Sequence, residues 1–182
     1  MANKIEKIIF EGETYYYTKG VVYDQSFLEV PVLISEKVTT SYFSKIDYKQ
    51  FDEFKMITYI KELKTALKYD FCLSVIDYGL AKFSNSKDFY TSVFPIITSC
   101  YRAKGQPQKA IDFWMENKKI FVSCLSVPLL TSLAAAYCDV GNYDLAKMCA
   151  NRAYAMQGGS LHYQTELSMV YGRIKKETQE KD

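Results

Sequence analysis

The sequence predicts a mostly α-helical protein, an α-α superhelix of stacked helical hairpins preceded by a small N-terminal β-ribbon. Three observations carry that reading. The first 23 residues are rich in β-branched and aromatic side chains punctuated by Gly12 and Gly20. From about Tyr48 onward, apolar residues recur at helical spacing between short breakers. One set of residue types then returns at a fixed displacement, which marks an internal repeat.

Taken in order, Lys7 to Tyr23 (KIIFEGETYYYTKGVVY) reads as strand, turn, strand, turn, strand. Ile, Val, Phe, Thr and the Tyr15-Tyr16-Tyr17 run suit a pleated, half-buried surface, and the glycines mark the turns. A ribbon of this size is marginal alone and is expected to pack on the helices that follow. After Pro31, the residues Leu33, Ile34, Val38, Tyr42 and Phe43 fall at roughly helical spacing and predict a first helix. Residues 1–45 are therefore read as a β-ribbon plus helix, and 46–182 as a helical repeat domain with a C-terminal capping helix. The breakers in the latter are Lys68-Tyr69-Asp70, Ser84-Asn85-Ser86, Lys104-Gly105-Gln106-Pro107, Gly141-Asn142 and Gly158-Gly159. Pro107 suits the first turn of a helix capped by Gln106, and Asn142 suits an N-cap with Asp144 at the positive helix end. Gly158 and Gly159 suit a left-handed C-cap.

Tyr101, Gly105, Ala110 and Trp114 return as Tyr137, Gly141, Ala146 and Ala150, each displaced by 36 positions. A step back of 38 from Tyr101, Ala110 and Trp114 reaches Leu63, Cys72 and Ile76, and a step forward of 34 from Tyr137 reaches Tyr171. With Leu130, Leu133, Ala134, Tyr137, Gly141, Tyr143, Ala146, Ala150 and Ala153 in place, the third unit resembles the tetratricopeptide repeat family. That family stacks pairs of antiparallel helices, small residues allowing close approach and larger ones filling the groove between units. The middle unit departs at Thr98 and Asn117. The first keeps Cys72 and Gly79 as small residues and has Leu67 at the turn where glycine is usual. Leu161 to Lys176 carries Leu167, Ser168 and Tyr171 in the register of a first helix, as a cap would. The resemblance spans roughly residues 50–176, beside which an irregular helical bundle is the plainer alternative.

Composition excludes several classes. Lys plus Arg is 23 against 21 for Asp plus Glu, a charge of +2 that provides no footprint for bulk nucleic-acid binding. The five cysteines, Cys72, Cys100, Cys124, Cys138 and Cys149, form no CxxC pair, and His162 is the single histidine, so zinc motifs are excluded. Each cysteine falls in an apolar segment read as helical and is expected as a buried, reduced thiol. With no apolar leader after Met1, a cytoplasmic location is expected. Ile120 to Cys138 is 19 residues without a charge, but Pro128 and several hydroxyl residues argue against a membrane span. No phosphate loop or catalytic constellation is present, so no enzyme, cofactor or metal is expected. Glu62, Asp77, Asp112, Asp139 and Asp144 read as solvated helix faces and end charges.

The resemblance implies non-catalytic binding of a peptide segment or partner protein on the concave face that the first helices of the units form. Its register assigns Lys61, Lys64, Ser99, Arg102 and Thr131 to that groove, with Arg173 adjacent in the cap. Lys61, Lys64, Arg102 and Arg173 would make one wall basic, suited to an acidic or phosphate-bearing ligand. Family members that clamp a chain-terminal carboxylate use Asn where Ser99 and Ala135 stand here, which argues against that subclass. Tyr15, Tyr16, Tyr17 and Tyr23 form a candidate second surface, because tyrosine offers area with a polar handle. The alternative readings are a regulatory receptor for a small peptide or metabolite and, disfavoured by the net charge, a nucleic-acid adaptor. The apolar ends of so short a stack make a homo-oligomer a further candidate.

Overall fold

The computed structural model describes the backbone of residues 5–156 and 161–179, and the side chains of 5–156 and 166–177. Among these the fold is mostly α, with a three-stranded antiparallel sheet at the N-terminus. The elements are β1 (Glu6–Phe10), β2 (Glu13–Thr18), β3 (Val21–Tyr23), α1 (Val32–Ser44), α2 (Glu53–Thr65), α3 (Tyr69–Lys82) and α4 (Lys87–Ala103). They continue as α5 (Pro107–Glu116), α6 (Lys118–Ser123), α7 (Val127–Asp139), α8 (Tyr143–Met156) and α9 (Leu161–Gln179), and a 3-10 turn at Tyr48–Gln50 precedes α2. The chain divides into two compact units, residues 1–75 and 76–182, with the division inside α3.

In the N-terminal unit both hairpin turns have two residues, Glu11-Gly12 and Lys19-Gly20, all at positive φ. This is the mirror-image turn whose twist matches that of the flanking strands, and it uses the two glycines singled out in the sequence. The register pairs Ile8 with Tyr15 and Tyr17 with Val22. Because strand side chains alternate, Ile8, Tyr17 and Val22 share the face that packs beneath α1, while Tyr16 and Tyr23 lie on the other. The buried stripe of α1 is Val38, Thr39 and Phe43, whereas Leu33 and Ile34, expected in that stripe, are exposed. The helix is apolar on more than one side, and spacing alone does not select the side that meets the sheet. In α2, Met56, Tyr59, Ile60 and Leu63 make the buried i, i+3, i+4, i+7 stripe. Its first turn is capped by Asp52, whose carboxylate accepts from the Lys55 N–H at 2.8 Å.

The C-terminal unit is built around α7, which packs against α4, α5, α8 and α9. Leu129 through Cys138, apart from Ser132, are buried. A helix enclosed on several sides needs no charged face, which accounts for the uncharged run noted in the sequence. No helix among the described residues is long and apolar enough to cross a membrane. Ala146, Ala150 and Ala153 line the buried face of α8, where small side chains let it approach α7 closely. Asn142 caps α8, accepting from the Leu145 N–H at 3.2 Å. The expected C-cap at Gly158-Gly159 lies outside the described residues.

The same helix-to-helix turn occurs three times. In each, a residue at positive φ (Leu67, Gly105, Gly141) closes the preceding helix. The N–H of the next residue reaches back five positions: Lys68 to Leu63 C=O at 2.9 Å, Gln106 to Tyr101 at 2.8 Å, Asn142 to Tyr137 at 2.9 Å. The shorter bond from the positive-φ residue itself completes each cap, to Lys64, Arg102 and Cys138 respectively. Leu67 thus holds a left-handed conformation that ordinarily falls to glycine. The second helix of the middle hairpin, by contrast, is broken. Asn117 ends α5 and begins α6, its Nδ2 donating to Phe113 C=O at 2.9 Å. This is the position where the resembled pattern carries Ala, and asparagine there satisfies a helix end rather than a helix interior.

Candidate functional site

The predicted groove residues fall in both units. In the C-terminal unit, Ser99 and Arg102 on α4 and Arg173 on α9 are brought together, with the carboxylate of Asp139, the last residue of α7, as the connecting element. Arg102 contacts Asp139 through Nε and through Nη2 at 3.4 Å, while Arg173 donates from Nη2 at 2.5 Å. Ser99, Arg102 and Asp139, with Ala103, Gly105 and Pro107, line an open cleft of about 580 Å³. Burial alone would raise the Asp139 carboxyl, but hydrogen bonds from Arg102 and Arg173 and their charges outweigh it and hold the group below its ordinary value. The reading of Asp139 as a solvated end charge is corrected by this geometry. A carboxylate faces the negative end of the helix dipole there, and two guanidinium groups compensate it. Thr131 lies inside the unit, 4% exposed, its hydroxyl without a hydrogen-bond partner among the described residues, rather than on the groove wall.

Asp139 therefore ties three helices together, and its contribution has a definite pH dependence. A carboxyl with a depressed folded pKa stabilises fully above its ordinary value of 3.8, and the contribution is lost as pH falls through the lower folded value. Asp139→Asn is expected to cost about 1 kcal/mol at neutral pH. In urea titrations the gap to wild type should close in strong acid, and a gap independent of pH would remove the electrostatic explanation.

Lys61 and Lys64 lie on α2 in the N-terminal unit, where Lys61 but not Lys64 borders a pocket of about 670 Å³. The rings of Tyr17, Tyr42, Phe51, Phe54 and Tyr59 line it, and Ile46 adds an aliphatic wall. Its charges are Glu6 from β1, Glu62 from α2, and Lys19, Lys55 and Lys61. Tyr17, from the candidate second surface, is 5% exposed and packs against Tyr42 and Phe43, with centroids 5.8 and 5.7 Å away. Tyr16 stacks on Phe27 at 4.7 Å on the opposite face of the sheet, so the pleat splits the four-tyrosine surface. The Tyr59 hydroxyl donates to Phe43 C=O at 3.0 Å. Burial, then Glu62, pushes Tyr17 up to about 12, the Gly20 N–H opposing. Burial, then Glu6 and Glu62, pushes Tyr42 up to about 12. Tyr59 is raised by burial first and by its tyrosine neighbours and Glu62 after that. All three hydroxyls thus remain neutral at physiological pH.

Sequence reasoning missed Glu6, Tyr42, Tyr59 and Glu62. The signal for Glu62 is the second stripe of α2, Phe54, Thr58, Lys61, Glu62 and Thr65, opposite the buried one. The partners from β1 and α1 have no sequence signature. The cysteines carry no disulfide: Cys72, Cys100 and Cys138 are buried, Cys124 and Cys149 partly so. Burial pushes the Cys149 thiol up to about 11 and raises Cys138, which keeps both protonated. Cys124 lies in the turn after α6, not within a helix as its surroundings suggested. Comparison with family models, with curated proteins and with solved structures gives no match.

Proposed function

We propose that this chain is a non-catalytic, cytoplasmic interaction module, an adaptor that binds an acidic peptide segment of a partner protein in the groove beside α4, α7 and α9. The observation that supports it is the pair of guanidinium groups oriented by one carboxylate. Arginine has five N–H donors, and Asp139 occupies two from Arg102 and one from Arg173. The remaining donors have no partner among the described residues, are already positioned, and carry one net positive charge past Asp139. A partner carboxylate would meet a preorganised site, which lowers the ordering cost of binding. Ser99 beside them adds a hydroxyl, and the resemblance to tetratricopeptide arrays, which present such grooves to peptides, points the same way.

Selection of displayed random peptides on the full chain tests the reading. Enriched peptides should be rich in Asp and Glu, and the double variant Arg102→Gln, Arg173→Gln should bind them about tenfold or more weakly, because hydrogen bonds to charged groups are each worth about 1.5–3 kcal/mol. Both arginine side chains are partly exposed, so the variant is expected to fold. Enrichment without acidic preference, or undiminished binding by the double variant, would overturn it. Steep loss of binding to RNA or DNA with rising salt would favour the nucleic-acid alternative instead.

A further inference from the structure

The two edges of the N-terminal sheet differ. The outer edge of β3 is closed by the chain itself: Asp24 N–H donates to Leu28 C=O at 2.9 Å and Val30 N–H to Val22 C=O at 3.1 Å. The outer edge of β1 is open. The two-residue turn makes Phe10 and Glu13 a hydrogen-bonded pair, and inward and outward backbone groups alternate along β1 from there. Glu6, Ile8 and Phe10 therefore direct their N–H and C=O to β2, whereas those of Lys7 and Ile9 point away and have no partner among the described residues. Both side chains are exposed, that of Ile9 by 64%. An edge in this state is a template for another strand.

Hydrogen bonding and charge select which strand. Outward groups must meet outward groups. Setting Lys7 opposite itself in a second copy puts like charges face to face, and setting Ile9 opposite itself runs Lys7 onto the hairpin turn. With Lys7 opposite Ile9, a two-fold axis passes through Ile8 and four backbone hydrogen bonds form. The same register brings Glu11 of the second copy, exposed in its turn, within diagonal reach of Lys7, an opposite charge. It also sets Phe10 of the second copy opposite Glu6. Glu6 borders the pocket of Tyr42, Ile46 and Phe54, and Phe54 is 74% exposed, so that ring has apolar surface to cover. The strand thus carries both halves of each contact, which is what an isologous interface requires.

We propose that β1 is a homodimerisation edge, two copies joining β1 to β1 antiparallel about Ile8 in one six-stranded sheet. Because the β3 edges are closed by their own chains, pairing stops at two copies. The joined edge is short, so the dimer belongs to the weak, concentration-dependent class. It uses none of the residues of the proposed peptide groove, and its test is independent of that reading.

The test is sedimentation equilibrium of the full chain up to millimolar concentration, with amide hydrogen exchange of the isotope-labelled chain over the same range. Expected is an average mass that rises toward twice the monomer's and no further, while the Lys7 and Ile9 amides become protected in step. Ile9→Pro removes an outward donor and leaves the β1–β2 ladder intact, and the strand conformation of Ile8 suits a following proline. That variant should associate at least about tenfold more weakly, since it removes two of the four bonds. Leu33→Ser, at an exposed position of α1, should associate as wild type. Four results would overturn the proposal: a monomer at every concentration, association unchanged in Ile9→Pro, association abolished by Leu33→Ser, or Lys7 and Ile9 amides that gain no protection as mass rises. The exchange measurement is made on the wild-type chain and stands whatever the variants do.

Discussion

Phe121→Ala should lower the stability of the C-terminal unit by about 3–4 kcal/mol, within the range for removing a buried aromatic ring. The ring is fully buried and closes a cluster: it stacks on Trp114 at 4.8 Å and 7°, and packs on Phe94 at 4.9 Å and Phe113 at 6.0 Å. Its position depends on the break at Asn117, because α6 leaves the line of α5 and carries Phe121 back onto α4 and α5. Truncation would leave a void walled by rigid rings that cannot collapse into it. Trp114 is the only tryptophan, so its emission reports directly on the cluster. Urea unfolding followed by that emission should show an earlier midpoint and a red-shifted native state. A loss below about 1 kcal/mol would mean that the ring is not buried as placed.

Gly79→Val should cost about 2–3 kcal/mol through overpacking. Gly79 lies inside α3, where its backbone is helical and needs no special freedom; space is what constrains it. A Cβ there would stand 2.3 Å from Cζ of Phe89 and 3.0 Å from its Cε1. Phe89 cannot retreat, being fully buried on α4 with its ring 5.2 Å from that of Phe83. Gly79→Ala sets two effects against each other, since alanine gains about 1 kcal/mol of helix propensity over glycine. A double-mutant cycle with Phe89→Leu separates them, because the smaller partner should recover much of the clash and none of the propensity. If Gly79→Ala stabilises the protein by the full propensity gain with Phe89 intact, the close approach of α3 and α4 is wrong.

Local features were legible wherever one residue type answers one local demand. Gly12 and Gly20 marked the two hairpin turns, Pro107 and Asn142 the starts of α5 and α8, and the shared 36-residue register the helices α4 with α5 and α7 with α8. Leu67 shows the limit of that reasoning. It takes the conformation of Gly105 and Gly141 because the hydrogen bonds of the turn require it, although nothing in leucine announces it. Asn117 shows another: it looked like an imperfect match at a helical position and proved to be a helix end.

Periodicity and turn chemistry act over a few residues, so the helical class, the N-terminal ribbon and the hairpin turns could all be read along the chain. Which charge answers Arg102 and Arg173 could not, since Asp139 reaches them from a third helix, 37 and 34 positions away. The same holds for the aromatic pocket, where Glu6, Tyr42 and Glu62 meet only because a strand and two helices pack together. An electrostatic partner is selected by distance in space, and that distance is set by packing between elements rather than by order along the chain.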